Sequence, residues 1–203
     1  MSTALASARW SQQHTMMPDW TEHYWASRSH PSRQVVIEAL RELGPWSTLV
    51  ELGCNAGPML AQIHEAFPGA HLEGVEINAR AAEACGYNVP TARVHLADLM
   101  AWLPHQDANS YDVLVTHYTL AYVAPGDLPA VLSQCLRVAK TLVLAEPLGQ
   151  ERLLYGYPEW SHDYPRELFS QGSVIRVTPV DPPEGNLNAV VSARRRATRG
   201  LAA

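Results

Sequence analysis

Apolar positions along the chain change their spacing repeatedly, which predicts helices alternating with strands. Helical spacing marks residues 31–43, 59–67 and 79–85 and a stretch from Asp127 to about Val138. Short apolar runs typical of buried strands lie between them, at residues 47–52, 71–77, 92–96, 111–116 and 141–145. Because each strand is followed by a helix, we expect crossover connections and a parallel sheet.

The end of the chain has a different pattern. Residues 173–178 and 188–193 both read as strands, and only residues 179–187 separate them. That gap contains Pro182, Pro183 and Gly185, so it is too short and too irregular for a crossover helix. The pattern predicts a hairpin that adds one antiparallel strand to the parallel sheet.

Composition indicates one globular domain without a membrane or nucleic-acid partner. The 203 residues are 47% hydrophobic, with a net charge of −5, and Lys140 is the only lysine. This charge makes nucleic acid an unlikely partner, and no apolar run approaches the ~18 residues of a membrane span. Three cysteines without paired spacing argue against a disulfide framework and against a zinc site, and no signal peptide precedes residue 20. We therefore expect a cytoplasmic protein.

These features predict a three-part division of the chain. Residues 1–28 have no clear period, and we expect them to be loose or to cap a cofactor. Residues 29–194 form the domain, and residues 195–203 form a basic C-terminal tail.

Two glycines mark the first strand-to-helix turn as a ligand site. In open α/β sheets, ligands bind beyond the carboxyl ends of the strands. Gly53 and Gly57 allow positive φ and close approach of the backbone to a ligand. A dinucleotide fold would place glycines where Asn55 and Pro58 stand, and Pro58 offers no N–H to a pyrophosphate. The turn therefore favours an adenosine-containing ligand that lacks phosphate.

Two acidic residues at the next strand ends support this interpretation. Glu76 lies about 20 residues beyond the turn, where a carboxylate accepts hydrogen bonds from ribose hydroxyls. Asp98 ends the third strand, where it can accept from an exocyclic amino group, and it can also cap the following helix.

These residues, in this order, resemble the class I S-adenosylmethionine-dependent methyltransferases over residues 29–194. The resemblance implies an α/β fold that is doubly wound and Rossmann-like. Its mostly parallel, seven-stranded sheet would have the order 3-2-1-4-5-7-6, with the last strand antiparallel. It implies S-adenosyl-L-methionine as cofactor, bound by Glu51, Gly53, Cys54, Asn55, Gly57, Glu76, Ile77, Asp98, Leu99 and Thr116.

The acceptor is less constrained. A DNA amino-methyltransferase motif is absent after strand four, where residues 116–119 read Thr-His-Tyr-Thr, and the lysines expected of a ribose 2′-O enzyme are missing. We expect a small molecule methylated on oxygen, nitrogen or carboxylate. The oligomeric state is left open.

Candidate catalytic and substrate residues follow strands four and five. His117 is the better candidate for a general base, and His162 beside Asp163 is the second. Tyr118, Glu146, Tyr157 and Tyr164 are candidates to contact the substrate, and Tyr24 and Trp25 are placed to close over the donor.

Two alternatives stay open at this point. The first is an aminopropyltransferase-like enzyme on the same scaffold, although the paired acids expected after strand four are missing. The second is a non-catalytic S-adenosylmethionine-binding module, because methyl transfer from an activated donor demands little beyond positioning.

Overall fold

A seven-stranded sheet forms the centre of the structure. The computed structural model describes residues 2–13, 17, 19–29, 31–149, 152–153, 159–184 and 187–196. The strands are β1 (Thr48–Leu52), β2 (His71–Glu76), β3 (Arg93–Leu96), β4 (Tyr111–His117), β5 (Ala139–Ala145), β6 (Ser173–Glu184) and β7 (Leu187–Arg195). Their order is β3-β2-β1-β4-β5-β7-β6, with β1 to β5 parallel and β7 antiparallel to β5. The predicted topology is confirmed.

Helices cover both faces of the sheet. The α-helices of the described part are α1 (Thr3–Ser11), α2 (Trp20–Ala26), α3 (Pro31–Glu42), α4 (Pro58–Ala66), α5 (Ala79–Asn88), α6 (Leu99–Trp102), α7 (Leu128–Val138) and α8 (Tyr164–Ser170). Short 3₁₀ turns lie at Ser27–Ser29, Leu103–His105 and Leu120–Tyr122, and Arg152–Leu153 pairs with Trp160–Ser161 outside the main sheet. None of the described helices is long and apolar enough to cross a membrane.

The core has two halves because alternate strand residues point to opposite faces. Leu114 and Leu142 pack with Leu132 and Leu136 of α7 on one face. On the other, Val113 and Val143 pack with residues of α3 and α4, including Leu40, Met59 and Ile63. Burial on both faces is why the central strands read as continuous apolar runs.

The predicted end of the fifth helix was wrong. Helical spacing was expected to end at residue 85, before Gly86, yet α5 continues to Asn88, and the Cys85 carbonyl accepts the Val89 N–H at 2.8 Å. A glycine costs only about 1 kcal/mol in a helix interior, and the buried Cys85 and Val89 outweigh that cost.

The predicted gap in the closing hairpin was also wrong, although the hairpin itself is confirmed. Pairing continues to Pro179 and Ala189 and resumes at Glu184 and Leu187 beyond a register shift. β6 is an edge strand, and an edge strand tolerates prolines because their missing N–H faces no partner.

Residues 3–11 form a helix within the segment that we expected to be loose or to cap a cofactor. Thr3 and Ala6 are buried, and Trp10 contacts the rings of Trp20 and Tyr122. The helix is stabilised by these distant contacts rather than by an apolar stripe of its own, so its sequence shows little periodicity.

Candidate functional site

One cavity opens at the carboxyl edge of the sheet, at the ends of β1 to β4. It is partly open to solvent, and apolar side chains together with a few polar groups line it, as is usual for small-molecule sites. Its described lining includes residues that follow each of these strands and residues of the N-terminal helices. They are Thr3, Ala6, Ser7, Trp10, Tyr24, Arg33, Glu51, Gly53, Cys54, Asn55, Pro58, Val75, Glu76, Ile77, Ala97, Asp98, Leu99, Met100, His117, Tyr118, Thr119, Tyr122 and Val123.

The turn after β1 forms the floor of the cavity with an unusual backbone. Gly53, Asn55 and Gly57 have φ of 72°, 51° and 84°. A Cβ on Gly53 would lie 2.2 Å from Thr119 Oγ1, so glycine is required there for space as well as conformation. Gly57 caps α4 and faces the Cys85 side chain, not the cavity. The turn thus brings bare backbone to the ligand space.

Glu76 stands at the end of β2 and holds this turn. Its Oε2 accepts the Asn55 N–H at 2.9 Å, and its Oε1 accepts the Asn78 N–H at 2.8 Å. Burial raises the pKa of the Glu76 carboxyl, and these backbone hydrogen bonds oppose the rise. Each carboxyl oxygen can accept a further bond, so Glu76 remains able to bind two hydroxyls.

Asp98, at the end of β3, caps the short helix α6. Its Oδ1 accepts the Met100 N–H at 2.8 Å, and its side chain borders the cavity beside Leu99 and Ile77. Asp98 can therefore cap α6 and still accept a hydrogen bond from an amino group in the cavity.

Glu51 and Arg33 are both buried in the cavity wall. Both are nearly inaccessible to solvent, and the Arg33 guanidinium donates to Ser27 through Nε and a terminal nitrogen. Glu51 Oε2 has no hydrogen-bond partner among the described residues. Burial raises the pKa of Glu51 to about 8, while the nearby Arg33 charge opposes the rise. This oxygen is therefore able to accept a hydrogen bond from a group that enters the cavity.

His117 ends β4 at the cavity wall. Its Nε2 lies 3.0 Å from Ser32 Oγ at the start of α3, which fixes the ring, and Tyr118 follows with φ of 57°. Both residues line the cavity. Ser32 and Arg33 were missed in the sequence, because a helix that precedes the first strand carries no motif for this site.

Four other predicted residues lie away from the cavity. Thr116 is buried inside the sheet and Tyr164 in the core. His162 is buried with Nε2 3.1 Å from the Val123 carbonyl oxygen, and its ring packs on Tyr164. Glu146 is buried and accepts the N–H groups of Thr119 and Ala121 at 2.8 and 3.1 Å. These four side chains bond to backbone groups or lie in the core, and they are not part of the described lining. Tyr157 lies outside the described residues.

The environment of Glu146 links it to the cavity indirectly. Burial raises its pKa to about 7, and the hydrogen bonds from the turn oppose the rise. Since Tyr118, Thr119 and Tyr122 line the cavity, Glu146 holds the turn that carries part of the wall.

Helix α1 crosses the cavity and is anchored at both ends. Thr3 Oγ1 accepts the Ala124 N–H at 2.9 Å and donates to Asp127. At the other end, Asn78 Nδ2 donates to the carbonyls of Trp10 and Ser11 at 2.9 and 3.3 Å. Each anchor joins residues more than sixty positions apart, so spacing along the sequence offered no signal for them.

Aromatic rings continue across the same wall as one row, made of Tyr24, Trp20, Trp10 and Tyr122 in that order. Successive ring centroids are 5.2, 5.7 and 4.8 Å apart. Tyr24 was expected over the donor and does line the cavity. Trp25 was expected there as well, but its ring packs against the Arg28 guanidinium and it does not line the cavity.

Comparisons with known proteins agree with this architecture. Residues 49–141 match the family model described as a methyltransferase domain. The chain is 28% identical over 141 residues to trans-aconitate 2-methyltransferase of Deinococcus radiodurans, covering 68% of this chain and 51% of that protein. It is 27% identical over 111 residues to the same-named protein of Paracidovorax citrulli, covering 53% and 42%. The chain thus spans about half the length of the curated relatives it matches.

Solved structures share the fold at low sequence identity. Magnesium protoporphyrin IX methyltransferase from Synechocystis, with bound SAM, superposes with a TM-score of 0.65 at 16% identity, covering 81% of this chain and 78% of that one. An O-methyltransferase family protein from Burkholderia thailandensis superposes with 0.70 at 12% identity, covering 93% and 64%. In its strand order, its glycine turn and the family model that matches residues 49–141, this chain is similar to the class I S-adenosylmethionine-dependent methyltransferases.

Proposed function

We propose that this chain binds S-adenosyl-L-methionine at the carboxyl edge of β1 to β3 and transfers its methyl group to a small-molecule acceptor. The observation that carries the proposal is the cavity itself, which brings Gly53, Glu76 and Asp98 together beside a buried carboxyl oxygen of Glu51 that has no partner among the described residues. The activity of the curated relatives and the fold of the solved neighbours support it.

Four residues suit the chemical groups of this donor. Glu76 would bind the ribose hydroxyls and Asp98 the adenine amino group, since both carboxyls border the cavity and retain lone pairs. Glu51 would accept the ammonium of the methionyl part, and the Arg33 guanidinium beside it would bind the carboxylate. The bare backbone of Gly53 lets the ligand approach the turn closely.

His117 is proposed as the base that removes a proton from the acceptor. S-adenosylmethionine supplies a methyl group already activated on a sulfonium, so the protein has mainly to position the acceptor and take up one proton. His117 and Tyr118 line the cavity beyond the glycine turn, and Ser32 holds the imidazole in place. His162, hydrogen-bonded to a backbone carbonyl and buried, does not support this role.

Calorimetry and a labelled-methyl assay test the proposal separately. We expect the purified protein to bind S-adenosylhomocysteine and to transfer labelled methyl from S-adenosylmethionine to at least one member of a small-molecule panel. Glu76→Gln should weaken product binding by roughly 1.5–3 kcal/mol. Glu83→Gln, an exposed change of the same charge on α5, is the control. Unaltered affinity in Glu76→Gln would refute the donor site, and binding without transfer to any acceptor would refute the enzyme.

The acceptor class and the cellular location are the finer parts of the proposal. A concave site lined by apolar and aromatic side chains with a few polar groups supports a small-molecule acceptor. The division at residues 28 and 194 and a cytoplasmic location stay predictions of the sequence.

A further inference from the structure

The segment that follows β4 carries part of the cavity wall on a strained backbone. Its residues in the lining are His117, Tyr118, Thr119, Tyr122 and Val123. Tyr118 has a φ of 57°, in the left-handed region that a bulky aromatic residue rarely adopts. Such a conformation costs free energy and persists only where the surrounding contacts hold it. The contacts that hold Tyr118 therefore determine the shape of this wall.

Ala145, the last residue of β5, and Glu146 directly after it hold this segment. The Tyr118 N–H donates to the Ala145 carbonyl oxygen at 3.0 Å. The N–H groups of Thr119 and Ala121 donate to the two carboxyl oxygens of Glu146 at 2.8 and 3.1 Å. Glu146 is buried, so these hydrogen bonds do not compete with bulk water. The carboxylate thus fixes the backbone on the C-terminal side of Tyr118.

The same segment is fixed against the glycine turn by a contact that does not involve Glu146. Thr119 Oγ1 donates to the Leu52 carbonyl oxygen at 2.9 Å and occupies the space that a Cβ on Gly53 would need. The Tyr118 ring is therefore held at a set place relative to the floor of the cavity. A change at Glu146 leaves this second contact available to the glycine turn.

We infer that Glu146 is a positioning residue for the acceptor, because it holds Tyr118 in its strained conformation without itself lining the cavity. The Tyr118 ring then forms a fixed wall beside His117, whose ring centroid is 6.1 Å away. This inference rests on the proposed function, since it assigns Tyr118 to the acceptor. Glutamine cannot replace Glu146 here, because its amide offers one acceptor oxygen and sets an NH₂ group against the second N–H.

Two variants that both remove the ring measure the strain at position 118. Glycine adopts the left-handed conformation without a Cβ penalty, so Tyr118→Gly should melt about 2–4 °C above Tyr118→Ala. The order should reverse at Glu83, an exposed position within α5, because alanine stabilises a helix relative to glycine. In the Glu146→Gln background the difference at position 118 should vanish, since the released segment relaxes. A difference that persists there, or that is absent without Glu146→Gln, overturns the inference.

Amide exchange tests the two hydrogen bonds in the unaltered protein. The Thr119 and Ala121 N–H groups should exchange as slowly as those of β5, and Glu146→Gln should accelerate at least one of them by about tenfold or more. Rapid exchange of both groups in the wild type overturns the inference, whether or not the variant folds.

Steady-state kinetics at pH 8 separate positioning from stability. Burial raises the pKa of Glu146 to about 7, so the carboxyl is mostly ionised at this pH. With the acceptor that the labelled-methyl panel identifies, Glu146→Gln should raise the acceptor KM by about tenfold. Its affinity for S-adenosylhomocysteine should change by less than about threefold, because Thr119 keeps its contact with the glycine turn.

Asp112→Asn is the matched control. Asp112 accepts the N–H groups of Ser47 and Thr48 at 2.9 and 3.1 Å, at the opposite end of the sheet from the cavity. Its loss should lower stability and leave the acceptor KM unchanged. An unchanged KM in Glu146→Gln, or an equal loss of donor affinity, overturns the inference. Failure of the wild type to bind S-adenosylhomocysteine or to methylate any acceptor overturns the proposed function instead, and with it the role of Glu146 at the acceptor.

Discussion

At the scale of single residues, Glu51 couples donor binding to a proton. Its pKa of about 8 in the free protein means that it is protonated near pH 6.5, whereas an ammonium ligand favours the carboxylate. We expect S-adenosylhomocysteine binding at that pH to release about one proton more in the wild type than in Glu51→Gln. Calorimetry in two buffers with different ionisation enthalpies measures this difference. Equal proton release in the two proteins would mean that Glu51 does not meet the ammonium.

Replacing His117 should affect the rate of methyl transfer but not the affinity for the donor. His117→Ala should lower turnover with the identified acceptor by ~10²-fold or more, because a general base contributes that much, and should leave donor affinity nearly unchanged. Ser32→Ala, which removes the partner at Nε2, should show a smaller fall. A variant that loses stability but keeps its turnover per folded molecule would assign His117 to packing.

Individual residues could be predicted from the sequence where local spacing determines their place. Gly53, Glu76 and Asp98 sit at strand ends, so a motif and a strand period suffice to bring them to one edge. Glu146 and His162 also follow strand five, but their neighbours come from a turn some twenty-five or more positions away. Only the folded chain shows that this turn takes up their polar atoms.

At the scale of elements, the turn after β1 depends on a glycine for two separable reasons. Gly53→Ala should suffer both positive φ and a clash with Thr119, while Gly44→Ala, with φ of 84° and open space around it, should suffer strain alone. We expect Gly44→Ala to cost about 1 kcal/mol and Gly53→Ala clearly more, with loss of donor binding. Denaturant unfolding and calorimetry measure the two effects. Equal costs would show that Thr119 yields without penalty.

The hydrogen bonds that Thr3 makes at the start of helix α1 should determine how firmly this helix covers the cavity. Thr3→Val keeps the shape of the side chain but removes the hydroxyl that meets Ala124 and Asp127. Amide exchange in residues 3–11 should become faster, and donor dissociation with it, since a less stable cover opens more often. Ser11→Ala, which removes a hydroxyl bonded only within the helix, is the matched control. Similar exchange in both variants would argue against the anchor.

Helices and strands could be predicted where one or both of their faces are apolar. They could not be predicted where contacts with other elements determine whether they form. The buried strands and α7 could be located from their apolar positions alone. Helix α1 has no such stripe, and its order depends on Trp20, Tyr122 and the loop before α7.

At the scale of the whole molecule, buried acids determine how stability changes with pH. The pKa values of Glu51, Glu76 and Glu146 are raised above the ordinary 4.5, so the folded protein keeps protons that the unfolded chain releases. Stability is therefore greatest at low pH in this range and falls as pH rises through about 8. The pKa of Asp112 is lowered, mainly by Lys140, so this carboxylate stabilises the folded protein throughout this range. Its contribution to stability is lost only below about pH 4.

Thermal melting at several pH values tests whether stability falls as the pH rises. The donor-free protein should lose roughly 5 °C or more in Tm between about pH 5.5 and pH 8. Glu51→Gln should flatten the slope, because it removes one of the three raised carboxyls. A Tm that rises with pH over this interval would contradict the assignment.

The alternation of strands and helices predicted a parallel sheet with a closing hairpin, whereas the full strand order came from the resemblance to a known family. The charge balance of the cavity could not be predicted from the sequence, because Arg33, Glu51 and Asp98 come from three separate parts of the chain. Composition reports only the sum of −5, and the local sign depends on which residues the fold brings together.

The aromatic row has an optical consequence. Trp10 borders the cavity and contacts both Trp20 and Tyr122, so a ligand that enters there alters the surroundings of two coupled indoles. Ligand entry then changes their emission, and energy absorbed by Tyr24 or Tyr122 reaches an indole within a few ångströms. The native fluorescence of the protein therefore follows association and dissociation in a stopped-flow instrument without an added label.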